Sequence, residues 1–214
     1  MGLLGSAAQN AHCQNSRRIE VTNVIKFTLD VLDSTGTDAS GEPIYTIPSG
    51  EVITNLSVLG GSVSPHLMRA MSEWEAVADL EFFFDISIAD SDDGWVIMMG
   101  DFSNFSDDTV GVNISSNSAQ TAGVIIVSNH YSSYSEGEGF GVLLHELGHS
   151  FTGSFFEGHP NVNSVTKSVM KSDLTGFNVL TPSGLDIEAA QAEYDAATHN
   201  DNSTTYTMNG NQIS

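Results

Sequence analysis

Gly139-Phe140-Gly141-Val142-Leu143-Leu144-His145-Glu146-Leu147-Gly148-His149-Ser150-Phe151-Thr152-Gly153 carries more information than any other part of the chain. Phe140, Leu143, Leu144 and Leu147 fall 3, 1 and 3 positions apart, which is the rhythm of one buried helical stripe. Gly153 is a natural stop for such a helix. On that helix His145 and His149 stand at i and i+4, so their imidazoles share a face and can hold one metal ion. Glu146 sits one step round, where a general base would reach water held at an open coordination position. A buried helix with His and Glu facing inward needs something to satisfy them, and a zinc ion does so.

A zinc site that performs chemistry has three protein ligands and one open position. His159, in the run Glu157-Gly158-His159-Pro160, lies ten residues beyond His149 and past the Gly153 break. It is the expected third ligand, supplied by a chain that leaves the helix and turns back under the metal. Glu157 and Glu188 are weaker alternatives, and a carboxylate there would define a different subclass of zinc site.

The remaining elements follow from pattern. Residues 19 to 32 alternate in part and are expected to form a strand, and a short strand is expected near Ile44 to Ile47. Ser64-Pro65 starts a helix, whose stripe of Leu67, Met71, Trp74 and Ala78 runs to about Leu80 and belongs to a core. Glu81 to Ile88, Trp95 to Phe102 and Gly123 to Ser128 are expected strands. Residues 103 to 122, rich in Ser, Asn and Asp, are expected to form a surface loop. The order is strand, helix, strand, strand, strand, zinc helix, turn and closing helix, an α+β arrangement with the metal cleft below a twisted mixed sheet.

Composition bounds the rest. A chain of 214 residues with 40% hydrophobic residues can bury one core, placed at residues 18 to 200 between an extension at 1 to 17 and a tail at 201 to 214. Cys13 is the single cysteine, so internal disulfides are excluded and zinc is expected to contribute to stability. No run of eighteen apolar residues occurs, and the opening residues lack the features of a secretory signal. Against 27 acidic residues stand 6 basic ones, a net charge of −21. That balance argues against nucleic acid and anionic membranes as partners and suits a salty or calcium-bearing medium. Asp90-Ser91-Asp92-Asp93-Gly94 and Asp107-Asp108 offer calcium (Ca2+) as a second cation beside zinc (Zn2+), without the spacing of an EF-hand loop.

Together, the HExxH helix, the glycine after it, His159-Pro160 and Ser168-Val169-Met170 resemble the metzincin metallopeptidases, and most of all the serralysin-like branch. Leu185-Asp186-Ile187-Glu188-Ala189-Ala190-Gln191 is similar to that family's closing helix. The motifs cover residues 140 to 191, and the order of elements extends the resemblance to about 65 to 195. There are departures: Gly153 comes one place late, Phe155 holds the third ligand's usual place, and matching His159 requires a four-residue insertion. Ser172 stands where serralysins carry a tyrosine ligand, and the calcium repeats of that branch are absent. The resemblance implies a zincin-like (metzincin) fold, a methionine turn with Met170 beneath the metal, and a secreted setting. It also implies an edge strand that holds the substrate in extended form, a role placed here on Gly123, Val124, Ile125 and Ile126.

The expected function is therefore zinc-dependent peptide hydrolysis. His145, His149 and His159 hold the metal, Glu146 takes a proton from water and passes it to the leaving amine, and a protein or peptide is the substrate. The alternative is a structural or host-attachment module of a larger extracellular or viral assembly, located on a virion, that uses zinc as a staple.

Overall fold

Gly123–Ser128 is buried at all six positions and forms strand β8 at the heart of a mixed sheet. An unbroken apolar run, not an alternating one, is what a strand covered on both faces requires. The structure, a computed structural model, describes residues 23–47, 50–61, 63–102, 105, 109–117, 121–133, 135–152, 168–171, 180–194, 206–208 and 211–213. Within these the chain is α+β, with three α-helices.

Strand β6 (Trp95–Asp101) runs parallel to β8, in register from Trp95 opposite Gly123 to Gly100 opposite Ser128. Its other side is shared. Parallel β1 (Asn23–Thr28) takes Trp95 and Val96, and antiparallel β4 (Val52–Val58) takes Met98, Met99 and Asp101. Beyond β1 lies parallel β5 (Leu80–Phe84), and beyond β4 an antiparallel ribbon of β3 (Pro43–Thr46) and β2 (Gly36–Thr37). On the far side of β8 runs β7 (Gly111–Ser115), antiparallel, from Gly111 opposite Val127 to Ser115 opposite Gly123. A separate hairpin pairs β9 (Tyr206–Met208) with β10 (Asn211–Ile213), in what was expected to be a plain tail.

Two apolar clusters sandwich this sheet. Ile125 and Val127 of β8 join the larger one, with Leu67, Met71 and Trp74 of α1 (Ser64–Glu75) and Phe140, Leu143, Leu144 and Leu147 of α2 (Glu136–Thr152). Val124 and Ile126 point the other way, onto Ile47, Ile53, Ile88, Met98 and Phe102. At about 1.5–3 kcal/mol per buried large side chain, these two layers supply the main drive that holds the strands together.

Several sequence expectations shift. The first strand begins at Asn23, and residues 19–22 lie outside the described part. Helix α1 stops at Glu75, five residues short of Leu80, because the buried Glu75 carboxylate turns back to accept the Phe82 amide at 2.8 Å. Strand β5 ends at Phe84, where the Asp85 carboxylate captures the amide and hydroxyl of Ser87 at 2.9 and 2.6 Å and closes a turn. Val52–Val58 forms a strand that the pattern reading left unassigned, and β7 lies inside the expected loop at 103 to 122. The N-terminal extension at 1 to 17 lies outside the described residues. Among the described residues no helix is long and apolar enough to cross a membrane.

Candidate metal centre

Helix α2 is built as its sequence requires. Ser135 and Glu138 form a reciprocal cap: the Ser135 amide and hydroxyl donate to the Glu138 carboxylate at 3.0 and 2.7 Å, and the Glu138 amide returns to the Ser135 hydroxyl at 3.4 Å. These bonds hold the Glu138 carboxyl below its usual range. Across the helix, the Trp74 indole of α1 donates to the Leu144 carbonyl at 2.9 Å, and the Arg69 guanidinium lies 4.3 Å over the Phe140 ring. These ties fix how far α2 rotates, and so where its histidines point.

His145, Glu146 and His149 come together. Their ligand atoms lie within 4.8 Å of one another, and the three residues are only 4 to 7% exposed. The two Nε2 atoms are 3.1 Å apart with the rings at 88°. Two corners of a tetrahedral zinc site, with bonds of 2.0–2.1 Å, stand about 3.3 Å apart, so the pair is spaced for one small ion. The other nitrogen of His145 completes the argument. Nδ1 lies 2.7 Å from the Val169 carbonyl, which can only accept. Nδ1 therefore carries the proton and Nε2 presents its lone pair to the site. Burial, then the neighbouring His149, hold the His145 pKa down to about 3, against a smaller opposing effect of the Val169 carbonyl. The ring is neutral at physiological pH, the form that binds metal. The donor set thus fits a divalent ion.

Met170 is 1% exposed and lies directly against this helix. A Cβ built on Gly148 would overlap its sulfur and approach Trp74 Cζ2 at 3.0 Å. The glycine inside the His-Glu-Leu-Gly-His run is therefore the gap through which Met170 and Trp74 reach the helix backbone. The segment bearing Met170 is held by Asp186, near the start of α3 (Gly184–Tyr194) and 1% exposed. Asp186 accepts from the Ser168 hydroxyl at 2.5 Å, the Val169 amide at 3.0 Å and the Ser183 amide at 2.7 Å.

On the sheet side the neighbour is β7. A Cβ on Gly111 would stand 2.6 Å from Glu146 Oε1, and the Asn113 amide donates to the Glu146 carbonyl at 2.9 Å. Strand β7 pairs with no strand other than β8 among the described residues.

This corrects the placement of the edge. Gly123, Val124, Ile125 and Ile126 are paired on both sides, by β6 and β7, and have no free edge to offer. Gly123 has a packing role instead, since a Cβ there would lie 2.8 Å from Trp95 Cζ3 and overlap the Ile114 carbonyl. Among the described residues the edge strand beside Glu146 is β7. Glu188 is exposed on α3 and stands apart from the histidines, while His159 and Glu157 lie outside the described residues. Asp90, Asp92 and Asp93 are exposed in a turn where Asp90 binds the Asp92 amide at 2.8 Å, and Asp107 and Asp108 lie outside the described residues. Among the described residues no other group of His, Cys, Asp and Glu converges as the helix triad does.

Asp186, Ser168, Asn113 and Gly111 were not singled out from sequence as site residues. Only Asp186 had a local signal, the Ser183-x-x-Asp186 spacing of a helix cap. No protein-family model matches the chain, and no curated protein matches it.

Proposed function

We propose that this chain is a zinc-dependent endopeptidase with a zincin-like, metzincin-type fold. One observation carries the reading: a buried His145–His149 pair spaced for one ion, with Glu146 beside it and pressed against the edge strand β7. His159 is the proposed third ligand. Zinc bound there supplies Lewis acidity, which acidifies water and polarises a carbonyl. Glu146, held between the ligands and Gly111, takes the proton of the attacking water and delivers it to the departing amine. An extended peptide adds to the outer edge of β7 by backbone hydrogen bonds, which brings its scissile bond alongside Glu146. Met170 gives the site an apolar floor that does not compete for the metal. A secreted setting goes with this reading by resemblance alone.

The test is metal content alongside casein hydrolysis. The wild type is expected to hold about one zinc and to lose hydrolysis on chelation. Glu146→Gln keeps the metal and loses hydrolysis, because it removes the base and leaves the ligands. His159→Ala weakens zinc binding far more than His130→Ala does. Zinc held by a wild type that cleaves no peptide returns the site to a structural staple in a larger assembly. Hydrolysis at the native rate by Glu146→Gln refutes the mechanism.

A further inference from the structure

Asp186 does more than hold a turn. Starting at His145, the Nδ1–H donates to the Val169 carbonyl at 2.7 Å. That carbonyl belongs to the peptide unit whose N–H is Met170's, and this N–H donates to the Ser168 hydroxyl oxygen at 3.1 Å. The hydroxyl in turn donates to Asp186 Oδ1 at 2.5 Å. Every donor along this path points outward, from the imidazole towards the carboxylate. The Val169 amide reaches Asp186 Oδ2 at 3.0 Å and braces the same segment from its other side. His145, Ser168, Val169, Met170 and Asp186 are all buried, so these bonds act in a medium of low dielectric, where aligned hydrogen bonds polarise one another.

We infer that Asp186 is a positioning residue for the metal, acting on His145 through Ser168 and the Val169–Met170 peptide. A histidine ligand binds more strongly when its second nitrogen donates to a carboxylate. Here the carboxylate stands two links further out, and a hydroxyl and a peptide carry its influence inward. The relay fixes the His145 tautomer and the plane of its ring, and it explains why an aspartate is buried beside the segment under the metal. It also ties α3 to the segment that carries Ser168, Val169 and Met170. The relay presupposes the metal site proposed above but not the peptidase activity.

The experiment is zinc affinity of the full chain, measured by competition with a chromophoric chelator. Ser168→Ala removes the central hydroxyl. Asp186→Asn keeps the shape and turns an amide donor towards that hydroxyl, which reverses the polarity of the link. Each is expected to weaken zinc binding by roughly 10–100-fold, and the double variant by less than the product of the two. Ser183→Ala trims the helix cap beside Asp186 without touching the relay. It lowers the melting temperature and leaves zinc affinity unchanged, which separates tuning of the metal from mere stability. Native zinc affinity in Ser168→Ala, or equal losses in Ser168→Ala and Ser183→Ala, overturns the relay. If Asp186→Asn fails to fold, Ser168→Ala against Ser183→Ala decides the matter alone. A wild type with Ser168-dependent zinc binding and no hydrolysis keeps the relay and loses the peptidase. Hydrolysis with native zinc affinity in Ser168→Ala does the reverse, and a wild type that binds no zinc removes both.

Discussion

Glu146 lies between two constraints that belong to different parts of the chain: its own helix, which carries His145 and His149, and the backbone of β7 at Gly111. Gly111→Ala places a methyl where the carboxylate is, and the carboxylate must swing away. The expected result is hydrolysis reduced by roughly 100-fold with zinc content unchanged, since a displacement of about 1 Å at a reacting group has effects of that size. Parallel measurement of kcat/KM and bound metal checks it, and loss of zinc in step with activity argues against a specific effect on the base. Gly148→Ala acts on the opposite side of the helix. It forces Met170 and Trp74 outward from a fully packed contact, and overpacking of this kind costs about 1–3 kcal/mol. Thermal melting reads that loss directly. Neither glycine is needed for a positive φ; each is needed because another group occupies the space a side chain would take.

Helix α1 and the short 3-10 turn Asn129–Ser133 meet where His66 Nδ1 lies 2.9 Å from the Tyr131 hydroxyl. Burial pushes the Tyr131 phenol above its ordinary value. The unfolded phenol ionises near pH 10. As pH rises past that point the unfolded chain gives up its proton while the folded one retains it, so stability is full below about pH 10 and falls above it. Tyr131→Phe is expected to flatten the alkaline limb of a stability-versus-pH curve, at the expense of the His66 bond at neutral pH. Unfolding in denaturant at several pH values measures both. A limb just as steep in the variant shows that other groups govern alkaline unfolding. Elements with strong local signals were legible in this way: the Ser64-Pro65 start of α1, the glycine-rich entry to α2, and the apolar run of β8. Strand β7 was not. Val110, Val112 and Ile114 do alternate, but the Ser, Asn and Asp around them outweigh that short pattern, and only pairing to β8 makes the segment a strand.

For the whole molecule, surface charge sets one condition of stability, and a metal at the proposed site would set another. Three buried polar groups on one helix stay satisfied more easily with an ion between them than without one. At zinc about 100-fold above its dissociation constant, linkage adds roughly 2.7 kcal/mol, which for a chain of this size is about 5–10 °C in melting temperature. Chelation is expected to remove that increment from the wild type and to change nothing in His145→Ala. With a net charge of −21, the melting temperature of both forms is expected to rise between about 10 and 150 mM salt, as the screening length shrinks from about 30 Å to about 8 Å. A calorimetric series over salt, with and without chelator, resolves the two effects.

The sequence alone determined the helix that carries His145, Glu146 and His149. Its signals are local: a 3.6-residue rhythm, two imidazoles one turn apart and a glycine stop. It also marked Gly123 to Ser128 as a strand, because an unbroken apolar run is written residue by residue, while its burial on both faces came from the fold. The tertiary structure decided that β8 is not an edge, since β6 and β7 pair with it on both sides, and that β7 has one partner among the described residues. It likewise decided what surrounds His145, Glu146 and His149. Gly111 stands 35 residues before Glu146, and Val169 stands 24 residues after His145. Their contacts come from sheet register and helix packing, which no window of neighbouring residues contains. Asp186 shows both sides at once: its spacing from Ser183 marks a helix cap, while its hold on Ser168 and Val169 exists only once α3 has docked against α2.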